Sequence, residues 1–366
     1  MTPFQIDIPQ EALDDLRERP IRTRWSPELP GAGWERGVPA DYLRGLADYW
    51  VNHFDWRKAE AELNQWPQYR TEIDGQTLHF RHIRAEREDA LPLLLMHDNP
   101  GGIIGLLDVL TPLSRHFHVV APTMPGFGFS TPLASVGWTV PRTAALFDEL
   151  MSRLGYERYG AHGGGGGANL SMELGRQVPQ RLAGIHVNAY VTIPAGELPE
   201  LNEDEQRRLG LMQRLMQDGL GFNIIMTTRP QTISHGLHDS PVGQAAWIVE
   251  KFKEWTDDDA ELPEDAFSRD RILTEVSTQW FTGTQGSISQ SYHDVSHDPN
   301  AWGPKAKVTV PAAFAVAAGD VTVRSLAEQE ANVARWTEFD RGGAYLALEQ
   351  PELLTSDVRD FFGGLH

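Results

Sequence analysis

The sequence predicts an α/β fold: a mostly parallel, doubly wound sheet, preceded by a helical and meander module and interrupted by a helical lid. Three observations predict it. From Leu91 onward, short apolar strands alternate with helix-patterned stretches, the rhythm that parallel pairing requires. The strand signal vanishes between about residues 195 and 305 and returns at Val308. A strand also runs straight into a helix through five consecutive glycines, Gly163–Gly167.

The elements follow in order. Ile8–Leu16 carries a Pro near its start and apolar residues spaced for one helix face, and Tyr42, Leu46, Tyr49 and Trp50 repeat that spacing. Tyr69–Ile73 and Thr77–Ile83 flank Asp74-Gly75 and read as a hairpin. Leu91–Met96, His118–Ala121, Tyr159–Ala161 and Ala183–Tyr190 read as strands, with helices at Val140–Leu154 and Ala168–Gln177. After the lid come a strand at Val308–Gly319, a helix at Arg324–Val333, a strand at Trp336–Phe339 and a last helix at Leu353–Phe361. The predicted units are residues 1–85, 86–194, 195–305 (the lid) and 306–366.

Composition narrows the function. The 366 residues include no Cys, 11 Trp and 40% hydrophobic residues, enough for a large core and incompatible with disulfides, a cysteine nucleophile or a thiolate metal site. With 32 Lys+Arg against 51 Asp+Glu the net charge is −19, which argues against nucleic acid or an anionic membrane as partner. No basic segment leads into an apolar run after Met1, and the apolar runs are far shorter than a bilayer span. A cytoplasmic protein acting on a small molecule is expected, with homo-oligomerisation left open. His293 and His297 stand four apart, but no Glu follows His293 as a zinc-protease helix would require. Neither a metal nor another cofactor is expected.

The glycine run is the sharpest motif. Tyr159-Gly-Ala-His162 followed by Gly163–Gly167 and Ala168 joins strand to helix. Glycines there permit a tight turn and free backbone N–H groups for an anion. The Gly-x-x-x-x-Gly-Lys-Ser/Thr phosphate loop is absent, and the better match is the strand–turn–helix elbow that presents a nucleophile in α/β-hydrolases. Here the chain resembles the epoxide hydrolases of the microsomal and juvenile-hormone type, including actinomycete biosynthetic members. The matches run through Asp14-Asp-Leu-Arg, Thr23-Arg-Trp, Gly33-Trp-Glu-Arg-Gly, Asp55-Trp-Arg, Ala121-Pro-Thr-Met-Pro-Gly-Phe-Gly-Phe-Ser, Asp239-Ser-Pro-Val-Gly and Glu349-Gln-Pro-Glu.

The departures carry the functional information. The family elbow reads Gly-Gly-Asp-Trp-Gly, its Asp forming an ester with the epoxide. The resemblance puts Gly165 at that Asp and Gly166 at the Trp. It puts Ala344 where the general-base His belongs, and His97-Asp98-Asn99-Pro100 where His-Gly-x-Pro supplies the oxyanion hole. Of two lid tyrosines that bind the epoxide oxygen, one maps to His235 and the other is kept as Tyr292. The triad acid maps to Asp320. Without a carboxylate at residue 165 no elbow ester forms, and without His at residue 344 none is hydrolysed.

Acid–base opening of an epoxide remains open to such a chain. Asp98 is expected as general base, Tyr292 and His235 as acids or substrate contacts, and Asp320 as a relic of the triad or a new base. Asn99, His162, Gly165, Gly166 and Trp280 are expected at the substrate, with His162 able to pair with Asp98. Attack by an internal enol or phenol carbon would make a ring, with proximity supplying much of the acceleration. The leading expectation is therefore a cofactor-independent cyclase of natural-product biosynthesis acting on an epoxide-bearing polyketide, an anthraquinone-fused enediyne being one substrate that suits these requirements. A non-catalytic metabolite-binding protein and an epoxide hydrolase using direct water attack are the alternatives.

Overall fold

A computed structural model of the chain describes residues 1–193, 198–257, 259–301, 303 and 305–365. Among them nine strands form a single sheet: β1 (Thr2–Phe4), β2 (Gln68–Ile73), β3 (Gln76–Ile83), β4 (Pro92–Met96), β5 (His118–Pro122), β6 (Tyr159–Gly164), β7 (Leu182–Asn188), β8 (Val308–Val316) and β9 (Ala331–Glu338). Their spatial order is β1-β2-β3-β5-β4-β6-β7-β8-β9. The neighbours from β5 to β9 pair in parallel, and β1 to β3 form an antiparallel edge that joins at β5. This is the α/β-hydrolase arrangement with mostly parallel strands and flanking helices.

Strand alternation builds two cores from one sheet. Leu93, Leu95, Val119 and Ala313 face one side, where the helices Leu107–Ser114 and Pro351–Gly363 and the N-terminal helices cover them. Leu94, Met96, Val120 and Phe314 face the other, under the helices Val140–Arg153 and Gly166–Gln177. The β2–β3 hairpin turns through Asp74 at φ 54° and Gly75 at φ 72°, the two left-handed residues that a tight hairpin of this hand requires.

Two expectations need correcting, and one strand is new. The strands placed in a separate unit at residues 1–85 extend the main sheet, because β3 pairs with β5 from Phe80↔Pro122 to Ile83↔Val119. The strand β1 went unread because three residues are too few to show a period. The helix expected over Arg324–Val333 ends at Glu330. Ala331–Arg335 pairs with β8 instead, from Val308↔Ala331 to Ala313↔Arg335, so tertiary pairing overrides local propensity. The expected start of the lid, at residues 194–195, lies outside the described residues. Beyond it the helices Glu203–Arg214, Gly221–Thr228, Pro230–Asp239, Pro241–Glu254, Arg269–Thr282 and Gln285–Ser296 form the lid.

A buried polar chain crosses the sheet. His162 Nδ1 lies 3.0 Å from His186 Nδ1, and His186 Nε2 lies 3.0 Å from Asp357 Oδ2. Asp357 Oδ1 accepts from Arg335 Nε at 2.7 Å and from the Thr337 hydroxyl at 2.8 Å. Burial alone would raise the Asp357 carboxyl, but His186, Thr337 and Arg335 outweigh it and hold it down at about 2. A carboxyl depressed in the folded state stabilises above its unfolded value near ~4 and loses that contribution as pH falls through the folded one. Asp357→Asn should therefore lower stability at neutral pH by about 3 kcal/mol. In urea unfolding the gap to wild type should narrow as pH falls from about 4 towards about 2.

Candidate active site

The site grows from the register of β4 against β6. These parallel strands pair Met96 with Gly163, so Asp98 and Gly165, each two residues further on, emerge side by side beyond the carboxyl ends of the strands. Ligands gather at that end of an open parallel sheet. Gly165 turns the chain from β6 into the helix Gly166–Gln177 at φ 49° and ψ −111°, a conformation that L side chains rarely adopt.

The five glycines serve different needs. A β-carbon on Gly163 would lie 2.3 Å from the Gly167 carbonyl, one on Gly164 3.0 Å from the Asn188 amide, and one on Gly167 2.4 Å from the Met96 carbonyl oxygen. Strand and helix are pressed together there, and backbone cannot give. On Gly165 a β-carbon would lie 2.1 Å from Asp98 Oδ2 and 2.3 Å from its Cγ. The Asp98 carboxyl thus occupies the room a side chain at 165 would need. Gly166 alone has space: its nearest neighbours would be Asp98 Oδ1 at 3.4 Å and Met124 Cε at 3.9 Å, both ordinary contacts.

Asp98 is held by backbone. Gly166 N–H donates to Oδ1 at 2.9 Å, and Gly102 N–H donates to the Asp98 carbonyl at 2.8 Å. Burial raises its carboxyl to about 6 although the Gly166 and Asn99 N–H groups oppose the shift. The preceding His97 fixes the loop. Its Nδ1 lies 2.9 Å from the Asp98 carbonyl, which can only accept, and its Nε2 accepts from Met124 N–H at 2.9 Å. Those partners demand a neutral ring, in keeping with the burial that lowers its pKa to about 4.

Tyr292 comes to the same place on the lid helix Gln285–Ser296. Two residues on, Asp294 Oδ2 accepts from Gly137 N–H at 2.7 Å and Trp138 N–H at 2.9 Å, and at the helix start Thr284 Oγ1 donates to the Gly126 carbonyl at 2.6 Å. Asn99 Nδ2 donates to the Tyr292 hydroxyl at 3.1 Å. The phenol oxygen accepts there, which leaves its proton free to donate. Burial, followed by the nearby Asp98 carboxylate, keeps the phenol well above its ordinary pKa.

A cavity of about 870 Å³ unites Asp98, Asn99, Gly165, Gly166, Tyr292, Asp320 and Ala344. Its walls are largely apolar, with Met124, Phe127, Trp138, Leu170, Phe222 and Trp255 among them. Phe222 meets the Trp255 ring at 5.3 Å and the Tyr292 ring at 6.1 Å between centroids. Asp320 lines the wall but is already satisfied. It accepts from Thr322 N–H at 2.8 Å, Thr322 Oγ1 at 2.7 Å and Ala189 N–H at 2.9 Å. Those bonds hold Ala189 at φ 48° and make Asp320 a brace for the loop after β7.

Three expected residues lie elsewhere. His162 points into the buried chain with His186 and does not reach Asp98. His235 is exposed on the helix Pro230–Asp239, whose buried face is carried by Ser234 and Leu237. Trp280 packs against the N-terminal helices beneath the Arg19 guanidinium, 5.5 Å from its ring centroid. Trp255 takes the aromatic place at the cavity wall. Among the described residues no cluster of three or more His, Asp or Glu could hold a metal, and no helix is long and apolar enough to cross a membrane.

Residues 1–106 match the family model for the epoxide hydrolase N terminus. A Stigmatella aurantiaca protein whose name assigns it to the epoxide hydrolases is 41% identical over 377 aligned residues, covering 99% of this chain and 84% of its own. Epoxide hydrolase 1 of Sus scrofa is 31% identical, covering 99% of this chain and 88% of its own. The chain belongs to the epoxide hydrolase family. The structure of Aspergillus niger epoxide hydrolase superposes on all of it, with a TM-score of 0.89 at 29% identity and 96% coverage of that chain. Within this family the chain shares the fold, and it carries the lid residue Tyr292 and the β4-loop carboxyl of Asp98 in one cavity with Gly165.

The two kinds of glycine can be told apart by thermal melting. Gly166→Ala should leave the melting temperature within a few degrees of wild type, because its β-carbon meets only ordinary contacts. Gly167→Ala should abolish folding or lower stability by several kcal/mol, since the added carbon meets the Met96 carbonyl at 2.4 Å.

Proposed function

We propose that the protein opens an epoxide by acid–base assistance and closes a carbon–carbon bond within the same substrate molecule. The observation that carries this reading is the Asp98 carboxyl in the side-chain space of Gly165, in one cavity with the free phenol proton of Tyr292. In its ionised form Asp98 takes the proton of an enol or phenol. The carbon so activated attacks the epoxide, the ring C–O bond breaks, and Tyr292 delivers a proton to the oxygen. The net change moves one proton from nucleophile to ring oxygen, so the product is an isomer of the substrate.

The cavity supports a bulky substrate. Its volume of about 870 Å³ is at the upper end of ligand pockets, and Gly166 is a glycine that packing does not require. Aromatic walls suit a flat polycyclic unit. An epoxide-bearing polyketide meets these demands, and an anthraquinone-fused enediyne precursor brings an aromatic nucleophile and an epoxide into one molecule.

Incubation with such epoxides in heavy-oxygen water, followed by mass spectrometry, tests the reading. An unlabelled isomer is expected; a product carrying one labelled oxygen would mean direct hydrolysis, and tight binding without conversion would mean a sequestering protein. Asp98→Asn should lower kcat/KM by roughly 10²–10⁴ and Tyr292→Phe by about 10². Because the base must be ionised, kcat/KM of the wild type should rise with pH through about 6 and level off above it.

A further inference from the structure

We infer that Glu275 is the positioning residue of Asp98: its neutral carboxyl forms the surface against which the turn carrying Asp98 closes. The inference deepens the acid–base reading and rests on it for the role of Asp98. Glu275 belongs to the lid helix Arg269–Thr282, in which every residue from Ile272 to Gln279 is buried. Thr274 and Thr278 bond back to carbonyls of their own helix, and Ser277 accepts from the Trp50 indole at 2.9 Å. Glu275 meets the turn instead. A β-carbon on Gly102 would lie 2.5 and 2.8 Å from its two carboxyl oxygens, so the carboxyl packs directly on the Gly102 backbone, which stands at φ 47°. The Gly102 N–H donates to the Asp98 carbonyl at 2.8 Å, which closes the turn that holds Asp98 and Asn99.

The surroundings favour the acid over its anion. Gln279 Nε2 donates to Glu275 Oε1 at 2.8 Å, and Oε2 has no hydrogen-bond partner among the described residues. Oε1 is then the carbonyl oxygen of the acid and Oε2 carries the proton. An anion would set a full buried charge against a single amide, at far greater cost. Burial moves the carboxyl up to about 8, with the Gln279 bond opposing.

The cations of the packed elements are engaged elsewhere. On the same helix Arg269 pairs with Glu264 at 2.6 Å, and Arg271 with Glu62 and Asp108 at 3.0 and 2.7 Å, while Asp270 accepts from the Tyr49 hydroxyl. On the helix Trp56–Leu63, Arg57 pairs with Glu60 at 2.6 Å, and on Pro241–Glu254, Lys251 pairs with Glu250 at 2.8 Å and with Glu254. Lys58 and Lys253 on those two helices are not buried. The segments Ile104–Leu106 and Gly128–Ser130 carry no ionisable side chain. Beside the turn stand Asp98 and Tyr345, the latter 3.5 Å from where a β-carbon of Gly101 would be, and neither offers a positive charge.

Ionisation therefore drives the Glu275 carboxylate to draw in water or turn off Gly102. Either movement takes the support from the turn and shifts Asp98 relative to Tyr292. Gln279 carries the disturbance to the other partner: its carbonyl accepts from Thr284 N–H at 3.2 Å, and Thr284 in turn holds Gly126 at the start of the Tyr292 helix.

Hydrogen–deuterium exchange of the peptide around residues 98–105 tests the support without any substrate. At neutral pH wild type and Glu275→Gln should protect it equally, because the amide keeps the shape and the Gln279 bond. Glu275→Ala should exchange there about tenfold faster. Above about 8, after correction for the intrinsic rate, wild type should lose that protection and Glu275→Gln should keep it. The Gln comparison decides whether or not the Ala variant folds. In cyclisation, Glu275→Ala should lower kcat/KM by roughly 10–10² and Glu275→Gln should restore it. The wild-type plateau above about 6 should give way near about 8, whereas that of Glu275→Gln should continue. Equal exchange in wild type and variants, or an identical alkaline response of wild type and Glu275→Gln, would overturn the inference. Turn protection that follows residue 275 in a protein forming no isomer removes the cyclisation alone. Isomer formation with turn exchange indifferent to residue 275 removes the positioning alone.

Discussion

One exclusion at the end of β6 governs the site: the Asp98 carboxyl and a side chain at residue 165 cannot share the same space. Register brings the two residues together, since Met96 lies beside Gly163 and the chain runs on in parallel. With the Asp98 carboxyl in this position a side chain at 165 would have to displace it, and the backbone at φ 49° already favours glycine there. The same position supplies the electrostatics. Packing under the lid removes water from Asp98 and lifts its carboxyl to about 6, while the Gly166 N–H stops it rising further. Desolvation and the opposing backbone N–H groups of Gly166 and Asn99 together leave a carboxylate that is ionised at neutral pH and basic enough to take a proton.

The proposed acid and base ride on different parts of the molecule. Asp98 is fixed to the sheet through β4 and the neutral His97 ring. Tyr292 belongs to the lid, and its height above the sheet is set by Asp294 on the 137–138 turn and by Thr284 on Gly126. Asn99, the residue after the base, reaches across to the phenol at 3.1 Å. That bond orients the phenol, because an amide N–H can only donate and so the hydroxyl proton must point elsewhere.

The sheet was legible because its strands are apolar runs punctuated by turns, and the elbow because five glycines in a row suit a tight strand-to-helix turn and little else. Asp98, Asn99, Gly165, Gly166, Tyr292 and Ala344 were placed in one cavity by short, locally determined segments at strand ends. The misses share a physical cause. His235, Trp280 and His162 sit in regular elements where one residue of slip or a rotation of about 100° per helical position turns a side chain away from the cavity. Their neighbours decide the facing: Ser234 and Leu237 are buried while His235 is exposed. Asp320 stands at the cavity as expected, but its three hydrogen bonds depend on Ala189 and Thr322, a tertiary arrangement that no local pattern encodes.

What a carboxylate does depends on what its partner in the cavity offers it first. On the proposed reading, what Asp98 meets first in the cavity is the acidic proton of the substrate. A substrate that fills about 870 Å³ and folds its own enol or phenol against the epoxide presents the acidic proton to Oδ2 and keeps the ring carbon for its internal nucleophile. Held in that geometry, the proposed internal attack gains an effective concentration on the order of 10⁵ M or more. On the proposed reading, a carboxyl on the β4 loop beside Gly165 takes that proton, and Gly166, where added bulk meets only ordinary contacts, leaves room for the larger substrate.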